Sequence, residues 1–109
     1  VRRHGAVSLE EAVQMLTSIP ADLYGLRDRG RLVEGAHADV VVFDPATVAS
    51  GTIAMRYDLP AGAGRLYAEP AGVAHVLVNG TPITANGESL VGTMRERPGR
   101  VLRAGGGAR

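Results

Sequence analysis

The sequence predicts an α+β fold in which two short N-terminal helices precede a series of strands. Three observations predict it: a helical spacing of apolar residues after Ser8, an unbroken apolar run from Val40 to Phe43, and two Asn-Gly turns. Apolar residues three and four positions apart give a helix one apolar face, whereas short β-branched runs between turn residues form strands. The chain has 109 residues and is one small domain or part of one, because a complete (β/α)8 barrel takes roughly 200 residues or more.

The two helices are expected within residues 1–29. Ser8 and Glu11 have the spacing of a capping box, in which each side chain accepts a hydrogen bond from the other residue's backbone amide. Pro20 suits the first turn of a second short helix, and Gly25 suits its left-handed cap. The first helix would then present one apolar face formed by Leu9, Ala12, Val13 and Leu16.

The run from Val40 to Phe43 predicts a strand that is buried on both faces, since it is short, apolar and mostly β-branched. Asp44-Pro45 should end this strand, because proline cannot donate a hydrogen bond to a neighbouring strand. It also biases the residue before it away from helix.

A second group of strands surrounds the Asn-Gly turns. We expect strands at 73–78, 81–85 and 88–91 to form a meander, because Asn-Gly supplies the positive φ angles of a type I′ turn. Pro82 predicts an edge or a bulge near the first turn. Val101-Leu102 is expected to add a last short strand, and residues 105–109 a flexible tail.

Between these strands, residues 46–72 show no clear period and contain several glycines and prolines. They predict a long loop, with a brief extended piece at Arg65–Tyr67. Long loops of this kind are commonly functional or mobile.

Composition excludes several classes of function. The formal net charge is +1 and lysine is absent, so nucleic-acid binding is not expected. No cysteine is present, which excludes disulfides and thiolate ligands. No apolar run reaches membrane-spanning length and no signal peptide is evident, so we expect a cytoplasmic protein. The chain begins at Val1, which favours a fragment or an unusual start codon.

The three histidines have no spacing typical of a pair of metal ligands. His4 is expected to be solvated ahead of the first helix, and His37 to be a loop residue before Ala38-Asp39. His75 should be exposed or at an interface, on the strand face opposite Val76. We therefore predict no metal ligand among them.

The aspartates have structural interpretations that we prefer to catalytic ones. Asp39 is expected to accept backbone amides of the turn at Gly35, and Asp44 to form a turn through its own side chain. Asp22 should lie on a helix surface and Asp28 at a helix end.

The segment from Gly30 to Pro45, with its Ala38-Asp39 pair, apolar run and Asp44-Pro45 stop, resembles the strand that returns from the barrel in metal-dependent amidohydrolases. Further segments are similar to the same family, and most similar to its D-aminoacylases (N-acyl-D-amino-acid deacylases): 8–13, 16–21, 25–30 and 76–80. The resemblance implies the C-terminal end of such an enzyme. Residues 1–29 would be the helical end of a TIM-type barrel, and residues 30–104 would supply strands to a small composite β-sandwich domain.

What the resemblance implies about chemistry lies outside this chain. The family's zinc ligands are histidines, a carboxylated lysine or its counterpart, and an aspartate that would precede Val1. We therefore expect no catalytic, cofactor-binding or metal residue here, and zinc only in the full-length enzyme. The expected partners are the barrel and strands of the same enzyme, a small-molecule substrate in the full-length protein, and a second copy in a homo-oligomer.

Two groups of side chains have the chemistry to bind an anionic ligand. Arginine and tyrosine in the long loop could bind a substrate carboxylate, although packing on the barrel or on a neighbouring subunit is the simpler interpretation. These residues are Arg56, Tyr57, Asp58, Arg65 and Tyr67. A second group near the C-terminus is expected to be solvated rather than to bind phosphate: Arg95, Arg97, Arg100 and Arg103.

Two alternatives remain open from the sequence. The chain could be a stand-alone, non-catalytic β-rich interaction module derived from the same domain. It could also belong to an amidohydrolase that acts on a cyclic amide, such as a hydantoin or a dihydropyrimidine.

Overall fold

A computed structural model describes residues 1–103, and the predicted tail at 105–109 lies outside them. Helix α1 spans Leu9–Leu16 and helix α2 spans Ser18–Leu23. The predicted capping box is confirmed: the Glu11 amide donates to Ser8 Oγ at 3.1 Å, and the Ser8 amide donates to Glu11 Oε2 at 2.7 Å. The hydrogen bond from the Ser8 amide to the Glu11 carboxylate, with a smaller contribution from the Ser8 side chain, holds the pKa of Glu11 below its usual value.

The two helices form one bent unit. Thr17, with φ −127° and ψ −81°, leaves the helical conformation between them. Gly25 ends α2 at φ 69°, and its amide donates to Asp22 O at 3.2 Å, as predicted for a left-handed cap. The chain then returns against the bend, where a side chain at Gly30 would lie 2.7 Å from both Ala21 Cβ and Thr17 O.

The main sheet has four antiparallel strands in the order β1-β6-β7-β8. Their bounds are Val40–Phe43, Val73–Val78, Thr81–Ala85 and Glu88–Ser89. The predicted meander is therefore confirmed as β6-β7-β8, with β1 added beside β6 in a register that places Val41 opposite Val76.

Both Asn-Gly turns have the predicted left-handed geometry, with φ 49° and 78° at Asn79 and Gly80 and 51° and 78° at Asn86 and Gly87. Pro82 pairs with Leu77, next to a shift of register at Val76/Leu77. The bulge that this proline predicts is thus present, although β7 lies inside the sheet and is not an edge strand.

Residues 46–72 are not an irregular loop. They hold four short strands, Ala49–Ser50 (β2), Ala54–Arg56 (β3), Arg65–Tyr67 (β4) and Pro70–Ala71 (β5). β2 pairs with β5 and β3 pairs with β4, so residues 49–71 form a long antiparallel hairpin, termed the arm. The extended piece predicted at Arg65–Tyr67 is confirmed. The rest was missed because ladders of two and three residues, separated by glycine and proline, carry no measurable alternation.

Three other expectations are corrected by the structure. β1 is not buried on both faces, since Val41 is 55% exposed and Val42 is 46% exposed. β1 is an edge strand, and no second layer within residues 1–103 covers it. The last strand of the meander stops at Ser89 because a 3-10 turn follows at Val91–Thr93. Val101-Leu102 forms no strand.

The described chain has almost no interior of its own. Among residues 1–103 only Ala21 is fully buried, at 5% exposure. The radius of gyration is 16.0 Å, against roughly 13 Å for a compact domain of about 100 residues. Large apolar side chains that are at least two-thirds exposed include Leu16, Leu23, Leu32, Ile53 and Leu66. No helix within residues 1–103 has the length and apolar character needed to cross a membrane.

Candidate functional site

Five polar side chains meet where the helical segment, the start of β1 and the β6–β7 turn come together. This group, termed the junction, contains Asp28, Arg29, His37, Asp39 and Asn79. His37 bridges two parts of it, with Nδ1 2.8 Å from Asn79 Oδ1 and Nε2 3.3 Å from Asp28 Oδ2. Its own backbone amide donates to Asp28 O at 3.0 Å. His37 is therefore more than the simple loop residue that was predicted.

Asp39 accepts a backbone amide as expected, but not from the turn at Gly35. Its Oδ1 accepts from the Asn79 amide at 2.8 Å, and its Oδ2 accepts from Arg29 Nε at 3.2 Å. A backbone hydrogen bond from Gly80 to Ala38 O, 2.9 Å long, holds the turn next to β1. The prediction of a local partner was wrong. Strand pairing brings the β6–β7 turn, 40 residues away in the sequence, within hydrogen-bonding distance of Asp39.

Arg29 lies between the two carboxylates of the junction. The Arg29 side chain is only 11% exposed and lies within 3.2 Å of both Asp28 Oδ1 and Asp39 Oδ2. Asp28, Asp39 and both ring nitrogens of His37 all have partners within the junction. Its arrangement fixes the helical segment to the sheet.

The polar side chains of the arm also satisfy one another. Arg65 holds Asp58 through two hydrogen bonds of 2.7 Å, which lower the pKa of Asp58. Arg56 Nη2 lies 2.6 Å from Glu69 Oε1, and the Arg56 guanidinium stacks 3.6 Å from the centre of the Tyr67 ring. The predicted group is thus brought together, except for Tyr57. Glu69 was not predicted, although it lies two residues after Tyr67 and so shares its face of the ribbon.

Other candidate residues have ordinary structural places. His4 is exposed, and His75 is half-buried in β6 opposite Val42. Asp44 Oδ1 accepts from the Ala46 amide at 2.8 Å, which confirms its turn-forming role. Asp22 lies on the surface of α2, as predicted, and forms an ion pair there with Arg31. The four C-terminal arginines are exposed.

A large concavity lies between α1 and β1, with a volume of about 1080 Å³. This trough is mainly apolar, and its floor and walls include Leu9, Ala12, Val13, Leu16, Val40 and Phe43. At its rim, Arg2 donates to Pro45 O at 2.7 Å and to Val48 O at 2.5 Å. An open apolar trough suits packing against another apolar surface.

The side chains that could bind a metal ion are not gathered into a complete site in the described part of the chain. Across residues 1–103, no three histidine, aspartate or glutamate side chains are grouped so that they could hold one. The residues present therefore do not fit the zinc site that the sequence resemblance associates with the complete enzyme.

Comparison with known proteins identifies the family of this chain. The profile of the amidohydrolase family matches residues 1–84, and the chain belongs to this family. The particular relatives are deacylases from Alcaligenes xylosoxydans xylosoxydans. N-acyl-D-glutamate deacylase is 43% identical over 94% of this chain, and N-acyl-D-aspartate deacylase is 39% identical over 96%. D-aminoacylase from the same organism is 40% identical over 90% of the chain.

The matched region is a small part of those proteins. The chain spans 18% of the length of each of these three relatives. A dihydroorotase from Bacillus cereus (strain B4264) is 45% identical over 38% of this chain, which is 10% of that protein. No solved structure gives a significant match.

Proposed function

We propose that this chain is the C-terminal structural portion of a zinc-dependent amidohydrolase that hydrolyses N-acyl-D-amino acids to a carboxylate and a D-amino acid. The observation that carries the proposal is a sequence identity of 39–43% to three deacylases over 90–96% of the chain. Residues 1–29 would complete the wall of the barrel, and the strands would contribute to a small β domain.

A supporting role accounts for how the chain exposes its apolar surface. Only Ala21 is fully buried among the described residues, and α1 and β1 border an open apolar trough. Apolar surface of this kind is normally covered in a folded protein. Since the relatives are more than five times longer than the region they share with this chain, the remainder of a longer polypeptide would supply the cover.

The described residues take no step in the proposed hydrolysis. They hold no metal site, and the carboxylates and imidazole at the junction are occupied by one another and by Arg29. We propose that water activation and attack on the amide occur on residues outside 1–103.

The side-chain preference for one D-amino acid is not part of the proposal. Two of the deacylases are named for N-acyl-D-glutamate and N-acyl-D-aspartate, and the third is named D-aminoacylase. Their identities to this chain differ by only four percentage points. A region that is equally similar to all three carries no strong signal of the side chain that each one accepts.

The test compares the isolated 109-residue chain with the full-length product of the gene that carries it. The full-length product should release D-amino acids from N-acetyl-D-glutamate or a related substrate, leave the N-acetyl-L substrates intact, and contain zinc. The isolated chain should release none and bind no stoichiometric zinc. Deacylation or tight zinc binding by the isolated chain would overturn the proposal.

Two other functions are distinguished by the same gene. A start site just before Val1, with no barrel encoded in frame, would favour a stand-alone interaction module. The dihydroorotase match over 38% of the chain favours the second alternative, an amidohydrolase acting on a cyclic amide. Turnover of a hydantoin or dihydropyrimidine by the full-length product, without turnover of N-acyl-D-amino acids, would select it.

A further inference from the structure

The arm is a two-stranded ribbon with one apolar face. Successive residues of a strand point to opposite faces, and Met55 pairs with Leu66 across β3 and β4. A side chain at Gly64 would lie 3.0 Å from Met55 Sδ and 3.1 Å from Tyr57 Cε1, so both side chains lie over the face that Gly64 leaves open. Ile53 lies on the same face because it is two residues before Met55, and Leu66 lies on it because it pairs with Met55. The four side chains are 51–73% exposed.

The opposite face of the arm is polar and electrically balanced. Arg56 pairs with Glu69, Arg65 pairs with Asp58, and the Tyr67 ring lies beside both guanidinium groups at 3.6 and 4.9 Å. Two positive and two negative charges are neutralised within the ribbon, so this face is suited to water and needs no partner.

The apolar face is too small to hold a separate molecule by itself. Two strands about five residues long cover on the order of 200 Å² at normal strand spacing. A specific complex buries roughly 1,200–2,000 Å² over both partners. A face of this size is useful where its partner is already tethered, because an intramolecular contact does not lose the translational and rotational freedom that association costs.

We propose that the apolar face of the arm docks on an apolar surface of the larger remainder of the same polypeptide, with the Arg56–Tyr67–Arg65 face left in solvent. This inference rests on the proposed function, because the remainder is the part by which the deacylase relatives exceed this chain. Gly64 contributes because it has no side chain, so Met55 and Tyr57 can lie flat over it and form a continuous apolar face. The arginines of the arm then point away from the docked surface and do not bind substrate.

Cysteine labelling tests the two faces separately, because this chain has no cysteine of its own. Met55→Cys places a thiol on the apolar face, and Ala54→Cys, one residue earlier on the same strand, places the matched control on the polar face. Each variant is alkylated in the native full-length gene product and in the same product unfolded in urea, and the modified peptide is quantified by mass spectrometry.

In the native full-length product we expect the thiol of Met55→Cys to react about tenfold more slowly than in the unfolded product. The thiol of Ala54→Cys should change by no more than about twofold. Leu66→Cys, on the paired strand, should repeat the protection of Met55→Cys, and it replaces that variant if the latter fails to fold.

Several outcomes would overturn the inference. Equal reactivity of both faces in a full-length product that is active and contains zinc would leave the proposed function standing and remove the docking. Protection of both faces would contradict the solvated polar face. Protection of Met55→Cys in a dimeric full-length product, lost when sedimentation shows that dilution has separated the dimer into monomers, would assign the face to a second copy. An inactive, zinc-free product would refute the proposed function, whereas the labelling would still report whether the arm docks.

Discussion

Asp39 gains its role from a residue 40 positions away. Its two carboxylate oxygens accept from the Asn79 amide at 2.8 Å and from Arg29 Nε at 3.2 Å. One side chain thus joins the β6–β7 turn to the segment that follows α2. Since Arg29 is 11% exposed, loss of this carboxylate would leave a largely buried guanidinium with only Asp28 to balance it.

Asp39→Ala should loosen the junction. We expect a cost of about 1–2 kcal/mol, because a hydrogen bond to a charged group is lost and Arg29 keeps only Asp28 as an ion-pair partner. Peptide-resolved hydrogen exchange at Asn79 in the full-length product measures the effect as faster exchange. Asp39→Asn keeps an amide oxygen for the Asn79 amide, so its exchange should stay close to that of the original protein. Equal exchange in all three proteins would contradict the assigned role.

The arm depends on a close backbone crossing at its base. Gly72 follows β5 at φ 73°, and its carbonyl accepts from the Asp44 amide at 2.8 Å. A side chain here would lie 2.4 Å from Val48 N and 2.7 Å from Thr47 C. No L-residue can occupy this position unless the backbone of the neighbouring turn moves.

Gly72→Ala is therefore expected to disrupt the base of the arm, whereas Gly87→Ala should be much milder. Gly87 has a similar φ of 78°, but its nearest neighbour would be Val73 O at 3.6 Å. The control has only the left-handed strain of about 1–2 kcal/mol, and Gly72→Ala adds a steric clash to it. Hydrogen exchange across residues 44–72 should rise in the Gly72 variant and remain near normal in the Gly87 variant. Similar exchange in the two variants would contradict the crossing.

At the scale of the whole molecule, the helices and strands of residues 1–103 lack a shared hydrophobic core. Its sheet is one layer thick with β1 at an edge, and its helices leave Leu16 and Leu23 about four-fifths exposed. A protein this size needs most of its apolar surface buried to offset the loss of conformational entropy on folding.

The isolated chain should consequently lack a sharp thermal transition, bind hydrophobic dyes and self-associate through its exposed strand edges and apolar faces. Calorimetry together with sedimentation tests this prediction. The full-length gene product serves as the comparison and should melt cooperatively. A monomeric isolated chain that melts in a single sharp transition would show that these residues fold without a partner.

Features that depend on neighbouring residues were predictable from residue order. The capping box, the left-handed Gly25, the turn at Asp44 and both Asn-Gly hairpins were all expected and all observed. Each depends on contacts within a few positions, so a short stretch of sequence contains the whole interaction. The family was likewise visible in the order of these segments.

Pairing and burial became apparent only in three dimensions. The ribbon at residues 49–71, the exposed faces of β1, and the partners of Asp39 and His37 all depend on which distant segments lie side by side. An apolar strand such as Val40–Phe43 is suited to burial, but whether it is covered depends on a second layer. Residues 1–103 do not supply that layer, because their strands form one sheet and one ribbon that leave Val41 and Val42 of β1 about half exposed.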